Sequence, residues 1–249
     1  MSRQRFRVGW LLLAGALCLT GCGSGARGVS GNPDPGGIYS GTFTDAHGAR
    51  SQVVGIVTAN GRAVIFDAGT GTQVAGRFAV RGDRIAGIFT AYPPAGAQFA
   101  GGKPLVSLKL AGTLEPGRTL SGTYTGAGEQ GRFALTDDGV SYDRGSALAL
   151  LAGGWGGMLP DGATITLNVR ADGLLSGVSA DLCSYTGRFG MLDAQFNVYT
   201  LELTATCPHA SYTVSGLATI GKSRVVDKPE VFYAVANPEL GLAGSLTQQ

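Results

Sequence analysis

The chain has 249 residues, of which 42 are glycine and only 14% are charged, and its formal net charge is +2. A charge this close to zero excludes the basic footprint of a nucleic-acid-binding protein. Hydrophobic residues make up 44% of the chain, which excludes a wholly disordered protein and suffices for one large β domain or two small ones. Abundant glycine in such a chain is typical of short strands joined by tight turns.

The N-terminal segment has the parts of an export signal. Arg3, Arg5 and Arg7 form a basic start, and residues 8–20 follow as an apolar run without a charge. That run is shorter than the roughly 20 apolar residues that a transmembrane helix needs. A short apolar run behind basic residues is typical of a secretory signal. Its removal takes away three arginines and changes the formal charge from +2 to −1.

The signal ends in Leu19-Thr20-Gly21-Cys22. This ending resembles the lipobox of bacterial lipoproteins, in which an aliphatic residue, a small residue and Gly or Ala precede a cysteine. The resemblance implies that Cys22 becomes the mature N-terminus, carrying a thioether-linked diacylglycerol and an N-acyl chain such as palmitate. It also implies the outer membrane of a bacterial envelope, because Gly23 stands where an aspartate would signal inner-membrane retention. The alternative is an ordinary signal peptide with a chance cysteine.

Residues 22–37 are rich in Gly, Ser and Pro, which is typical of a flexible tether. From Ile38 onward, short apolar-alternating runs predict half-buried antiparallel strands, most clearly at Thr164–Val169 and in the runs that begin at Tyr199 and Val106. Turn residues recur about every dozen positions, the spacing of a barrel or sandwich. These turns are Asn60-Gly61, Gly82-Asp83, Pro116-Gly117, Asp161-Gly162 and Asp172-Gly173. The pattern predicts an all-β fold.

An internal repeat divides the chain. Each copy has an aromatic residue among glycines, Tyr39 or Trp155, followed by a turn and then a Gly-Arg-Phe run. The turns are Ala59-Asn60-Gly61 and Ala171-Asp172-Gly173, and the runs are Gly76-Arg77-Phe78 and Gly187-Arg188-Phe189. The repeat predicts two tandem small antiparallel barrels or sandwiches, 38–145 and 146–249. A short helix over 146–152, capped by Ser146, would join them. One merged barrel and a chance recurrence of glycine-rich patterns stay open as alternatives.

Two cysteines, Cys183 and Cys207, remain beyond the signal and Cys22. Each lies on the apolar face of a predicted strand, so both point to the same interior if those strands are neighbours. Disulfides persist in the oxidising compartment that an export signal implies. We therefore predict a structural disulfide between them, with free reactive thiols as the alternative. No Cys-x-x-Cys pair supports a thioredoxin-like role.

The residues of common catalytic and metal sites are sparse. The only histidines are His47 and His209, both in predicted loops, which leaves little room for Ser-His-Asp or Cys-His catalysis or for a metal site. Asp137, Asp138 and Asp143 cluster without the spacing of a calcium loop. We therefore expect a non-catalytic protein without a metal or cofactor. A hydrolase with paired carboxylates is the alternative.

Gly153-Gly154-Trp155 resembles the Gly-x-Trp of lipocalins, whose tryptophan closes the barrel floor. The resemblance implies a structural role for Trp155, with stacking on a ligand as the alternative. Three functions stay open: a membrane-anchored module that binds a small apolar molecule or a partner protein, a structural or assembly lipoprotein, and an enzyme or an inhibitor of an envelope enzyme. An open apolar barrel interior would favour small-molecule binding, and a filled interior with an exposed apolar patch would favour a protein partner.

Overall fold

The structure, a computed structural model, describes residues 31–67, 69–94, 96–126, 128–159, 161–222 and 227–249. The predicted export signal and Cys22 lie outside these ranges. Across the described residues the fold is all-β, as predicted. Its strands are β1 (Gly37–Asp45), β2 (Arg50–Val57), β3 (Arg62–Phe66), β4 (Gln73–Arg77), β5 (Ala79–Arg81), β6 (Arg84–Tyr92), β7 (Val106–Glu115), β8 (Thr119–Gly126), β9 (Glu129–Asp137), β10 (Gly153–Met158), β11 (Thr164–Val169), β12 (Leu174–Ser179), β13 (Ser184–Met191), β14 (Tyr199–Cys207), β15 (Ala210–Lys222), β16 (Pro229–Ala236) and β17 (Gly241–Gln248).

Strands β1 to β9 form the first barrel. Each strand pairs antiparallel with the next along the sheet, and pairing of β1 with β9 and of β4 with β6 closes it. The short strand β5 continues the line of β4 along β6 after an interruption at Phe78. Counted as one line, β4 and β5 make this a closed barrel of eight antiparallel strands.

Strands β10 to β17 form the second barrel, an eight-stranded up-and-down meander. Every strand pairs with its successor, and β10 pairs with β17 at Trp155 and Gln248 to close the ring. The chain thus folds into two tandem antiparallel barrels, whose strands span 37–137 and 153–248. Closed barrels leave few free strand edges, which suits a glycine-rich chain whose individual strands are short.

The repeated turns occupy equivalent places in the two barrels. Gly61 and Gly173 have φ angles of +80° and +86°, and their carbonyl oxygens accept hydrogen bonds from the N–H groups of Phe78 (2.9 Å) and Phe189 (2.8 Å). A Cβ atom at Gly61 or Gly173 would lie only 2.3 or 2.5 Å from the carbonyl oxygen of that phenylalanine. Both the backbone angle and the close approach therefore require glycine. The shared geometry explains why the pattern recurs in the sequence.

The end of each barrel that holds Tyr39 or Trp155, here called its floor, is closed by the same kind of hydrogen bond. The Tyr39 hydroxyl donates to the carbonyl oxygen of Pro35 (3.0 Å), and Trp155 Nε1 donates to that of Leu151 (2.7 Å). Each acceptor lies four residues before its aromatic donor. Both aromatic side chains are completely buried, at 0% and 1% exposure. This arrangement agrees with the structural role expected of Trp155, since a buried indole N–H needs a partner.

These floors explain two differences from the expected structure of the connecting segments. The expected helix over 146–152 is limited to one 3-10 turn, Leu148–Leu151, after a second at Tyr142–Arg144. Ser146 does not cap it, because its hydroxyl donates to the carbonyl oxygen of Asp193 (3.1 Å). The end of the expected tether is also packed: residues 34–36 are buried. In both places the chain is held beneath a barrel so that a carbonyl oxygen meets Tyr39 or Trp155.

The barrels pack side by side through their outer walls. Alternate residues of β2, β3 and β15 to β17 face the interface instead of a barrel interior. The cluster comprises Ile56, Val64, Phe66, Leu217, Ala234 and Ala243, together with Tyr142 and Val198. The buried Gln73 side chain adds a polar link by donating from Nε2 to the carbonyl oxygen of Val235 (2.8 Å). Within the residues described above, no helix is both long and apolar enough to cross a bilayer.

Candidate ligand cavity of the first barrel

The first barrel contains a cavity of about 240 Å³ at the end opposite Tyr39, here called the mouth. Inward-facing positions of successive strands supply its mainly apolar wall, because side chains alternate between the two faces of a strand. The wall residues include Phe43, Val53, Ile65, Val74, Ala91, Phe99, Val106, Leu108 and Tyr124. An engineered apolar cavity of about 150 Å³ binds benzene, so a volume of this size suits a body of about ten heavy atoms.

The interiors of the two barrels differ at one position of the internal repeat. Counted back from the matching glycines Gly76 and Gly187, Val74 on β4 corresponds to Tyr185 on β13. Tyr185 is buried in the core of the second barrel, and its hydroxyl oxygen lies 3.4 Å from Ser179 Oγ. Val74 carries a much smaller side chain and lines the cavity instead. At this position the second barrel has a large side chain that fills its interior. The first barrel has a small side chain there, which lines the cavity.

The loop between β6 and β7, residues 93–105, brings Phe99 to the mouth and is called the lid loop. The Phe99 N–H donates to the carbonyl oxygen of Lys103 (2.9 Å), and the Gly102 N–H donates to that of Phe99 (3.1 Å). This tight turn directs the Phe99 ring onto the barrel core, against which it packs half-buried. The ring therefore covers part of the apolar wall without sealing it.

Phe43 and Tyr124 line one side of the mouth, and Phe133 packs against Phe43. The ring of Phe43 lies 5.3 Å from that of Tyr124 and 5.7 Å from that of Phe133, measured between centroids. Burial raises the pKa of Tyr124, and the nearby carboxylates of Asp45 and Glu129 raise it further. The Tyr124 hydroxyl consequently keeps its proton at neutral pH and can act as a hydrogen-bond donor.

In the second barrel, the end opposite Trp155 carries a disulfide and packed aromatic side chains. A disulfide joins Cys183 and Cys207, as predicted, next to the paired residues Ser184 and Thr206 of β13 and β14. Tyr185 and the half-buried Tyr212 pack into the same core. Burial raises the pKa of both hydroxyls, so each remains neutral well above physiological pH. The interior of this barrel is accordingly a structural core.

The other candidate residues are scattered. His47 lies exposed in the turn between β1 and β2, and His209 lies exposed between β14 and β15. Asp138 accepts hydrogen bonds from the N–H groups of Val140 (2.9 Å) and Ser141 (2.7 Å). Desolvation opposes its ionisation, but the hydrogen bonds from Ser141 and Val140 outweigh it and lower the pKa of Asp138. This carboxylate therefore stabilises a turn.

Asp137 and Asp143, the other members of that carboxylate cluster, belong to different structural elements. Asp137 is buried at the floor end of β9, opposite Tyr39, and its Oδ1 accepts the Gly139 N–H (3.2 Å). Asp143 belongs to the 3-10 turn Tyr142–Arg144. Among the residues whose positions are described, no group of three or more His, Cys, Asp or Glu side chains could hold a metal ion.

The comparisons with known proteins found no match. No family model, no curated protein and no solved structure matches this chain. Sequence reasoning alone missed the cavity, because alternation identifies inward positions without revealing whether their side chains fill the space. The repeat did contain a signal, since aligning Val74 with Tyr185 shows the loss of a large side chain at an inward position.

Proposed function

We propose that this protein is a membrane-anchored envelope lipoprotein that binds a small apolar molecule in the cavity of the first barrel. The observation that carries the proposal is the contrast between the barrels: Val74 lines an apolar cavity of about 240 Å³, whereas its counterpart Tyr185 is packed into a core. A concave, mainly apolar site with a few polar groups at its opening is typical of small-molecule binding.

The cavity volume sets the expected ligand size and affinity. An eight-carbon alcohol has nine heavy atoms and matches the capacity estimated above. At about 0.6 kcal/mol per non-hydrogen atom, inside the range found for small ligands, nine atoms give about 5.4 kcal/mol, which is a dissociation constant on the order of 0.1 mM. Octan-1-ol is therefore a suitable first probe. Its binding should show a negative heat-capacity change, the marker of apolar burial.

Replacing Val74 with tyrosine tests the site directly. The Val74→Tyr variant gives the first barrel the side chain that the second barrel has at the matching position. We expect it to fill the cavity and weaken octan-1-ol binding by at least about tenfold, because displaced methylenes lose their burial. Isothermal titration calorimetry of the chain without its export signal measures the affinity, and circular dichroism checks the fold.

The matched control is Ala86→Tyr. Ala86 lies on β6, where it is exposed and lies outside the cavity lining. We expect this variant to bind octan-1-ol like the parent. Failure of the parent to bind octan-1-ol and related chains would contradict the proposed function. Undiminished binding by a folded Val74→Tyr variant would place the ligand elsewhere.

Lipidation of Cys22 is the second part of the proposal, supported by the Leu-Thr-Gly-Cys ending of the export signal. In cells fed an acyl-chain probe, we expect Cys22→Ser to abolish labelling and to release the protein from the membrane fraction, since one thioether-linked anchor is lost. Cys18→Ser is the matched control, because Cys18 leaves with the signal. Equal labelling of the Cys22→Ser variant and the parent would rule out this anchor.

A further inference from the structure

At the mouth of the first barrel, the strand register places acidic and basic residues on opposite faces of the sheet. Phe43 on β1 packs against the barrel core, so Asp45, two positions further along the strand, is also on the inward face. The same count places Asp67 two positions beyond the interior residue Ile65 of β3. Glu129 is four positions before the interior residue Phe133 of β9. Three carboxylates therefore share the inward face of the mouth.

Three basic residues near the mouth, on β2, β7 and β9, fall on the opposite face. Arg50 and Arg132 both pair with Thr44, which lies between the inward positions 43 and 45. Lys109 lies between the interior residues Leu108 and Leu110. All three are exposed and directed away from the cavity. Since neighbouring positions alternate faces, the register separates positive charge from negative charge at this end of the barrel.

The cavity lining reflects this separation. Its charged members are Asp67 and Glu129, and no lysine or arginine belongs to the lining among the residues that the structure describes. Lys103 of the lid loop is exposed and lies outside the lining. The Asp67 carboxylate is held in place, because its Oδ1 accepts hydrogen bonds from the N–H groups of Gly69 (2.9 Å) and Thr70 (3.2 Å). A bound molecule would thus meet fixed negative charge at the opening.

The pKa of the Tyr124 hydroxyl reflects the same negative charges. After desolvation, the causes that raise its pKa are the negative charges of Asp45 and Glu129. The strand register places the same two carboxylates on the inward face of the mouth. Charges at a partly solvated opening act over a few ångströms and are weakened by salt.

We propose that the ligand of the first barrel is a small cationic amphiphile, whose apolar body fills the cavity and whose positively charged, amine-type end lies among Asp45, Asp67 and Glu129 at the mouth. This inference rests on the proposed small-molecule function and specifies its ligand class. The cavity provides the binding energy, and the three carboxylates select the charge of the end group. Anionic amphiphiles such as fatty acids are disfavoured, because their head groups would approach like charges and no lysine or arginine of the described residues lines the cavity.

Three probes with the same eight-carbon chain test the assignment: octylammonium, octan-1-ol and octanoate. Calorimetry at low salt and neutral pH should rank them in that order, with octylammonium binding about tenfold or more tighter than octanoate. The preference should shrink as salt is raised, since the opening is exposed. In the double variant Asp67→Asn/Glu129→Gln the preference for octylammonium over octanoate should fall to about threefold or less.

The matched control is Glu202→Gln/Glu239→Gln, which removes two exposed carboxylates from the second barrel. It should keep the parent's ranking of the three probes. That result separates a local effect of Asp67 and Glu129 from an effect of the protein's net charge. Equal affinities for the three probes, or tighter binding of octanoate, would overturn the end-group assignment and leave the apolar site standing. A preference that persists in the Asp67→Asn/Glu129→Gln variant would also overturn it. If no probe binds the parent, the small-molecule function fails, and this inference fails with it.

Discussion

Replacing Trp155 with alanine is expected to lower the free energy of unfolding of the second barrel by about 3–5 kcal/mol. The indole is 1% exposed, and its Nε1 donates to the carbonyl oxygen of Leu151 (2.7 Å). The variant loses the buried ring, opens a cavity at the floor, and leaves that carbonyl without its donor. Since small domains are stable by about 5–15 kcal/mol, this change takes away a large share of the total.

Urea denaturation followed by far-ultraviolet circular dichroism measures this loss. Trp155→Phe is the informative companion, because phenylalanine refills most of the space but donates no hydrogen bond. We expect an intermediate cost of about 1–3 kcal/mol, dominated by the orphaned carbonyl of Leu151. Tyr39→Ala makes the equivalent change at the floor of the first barrel. A loss below about 1 kcal/mol in Trp155→Ala would show that this residue does not close the floor.

Removing the disulfide with Cys183→Ala/Cys207→Ala is expected to cost about 3 kcal/mol. The bridge spans a sequence separation of 24, and the chain-entropy model gives roughly this stabilisation for a loop of that length. For a protein of this size, the loss corresponds to a fall in melting temperature of about 6–12 °C. Binding in the first barrel should remain, because neither cysteine lines its cavity.

Two measurements check this result. The chain has two tryptophans, Trp10 and Trp155, and Trp10 lies in the proposed export signal. In protein that lacks this segment, the emission of Trp155 reports on the second barrel. Reducing the parent should reproduce the shift of the double variant, which separates loss of the bridge from loss of the sulfur atoms. Thiol titration of denatured, unreduced protein lacking Cys22 should find no free thiol. Two free thiols in material exported to an oxidising compartment would contradict the bridge.

Features with a local signal in the sequence were predictable. Alternation identified the strand Thr164–Val169, and the turn at Asp172-Gly173 followed from the dihedral angles that its glycine tolerates. The disulfide followed from two cysteines on apolar strand faces, in a chain that begins with a predicted export signal. Closure of the first barrel was not predictable in this way, because β1 pairs with β9 across almost a hundred residues. Such pairing depends on the whole sheet and leaves no short-range pattern.

The contact between the barrels is reflected in the sequence as a continuous apolar run. A search for alternating apolar residues does not identify its meaning. In β3, Ala63, Val64, Ile65 and Phe66 are all buried, because Ala63 and Ile65 face the interior while Val64 and Phe66 face the second barrel. A continuous apolar run marks a strand buried on both faces, whichever surface covers the second one. The short helix was expected from three leucines near Ser146, but the hydrogen bond to Trp155 holds those leucines in one 3-10 turn.

The chain enters the first barrel at its floor, the end opposite the mouth of the cavity. Residues 34–36 are packed beneath Tyr39, and β1 then runs from this floor to Phe43 at the mouth. An acyl anchor at Cys22 would be joined to the floor by a segment that spans about 37 Å at full extension. Because this segment joins the barrel at the end away from the cavity, the anchor would leave the mouth unobstructed. The proposed ligand would then be exchanged through the mouth with the surrounding solution or a delivering protein.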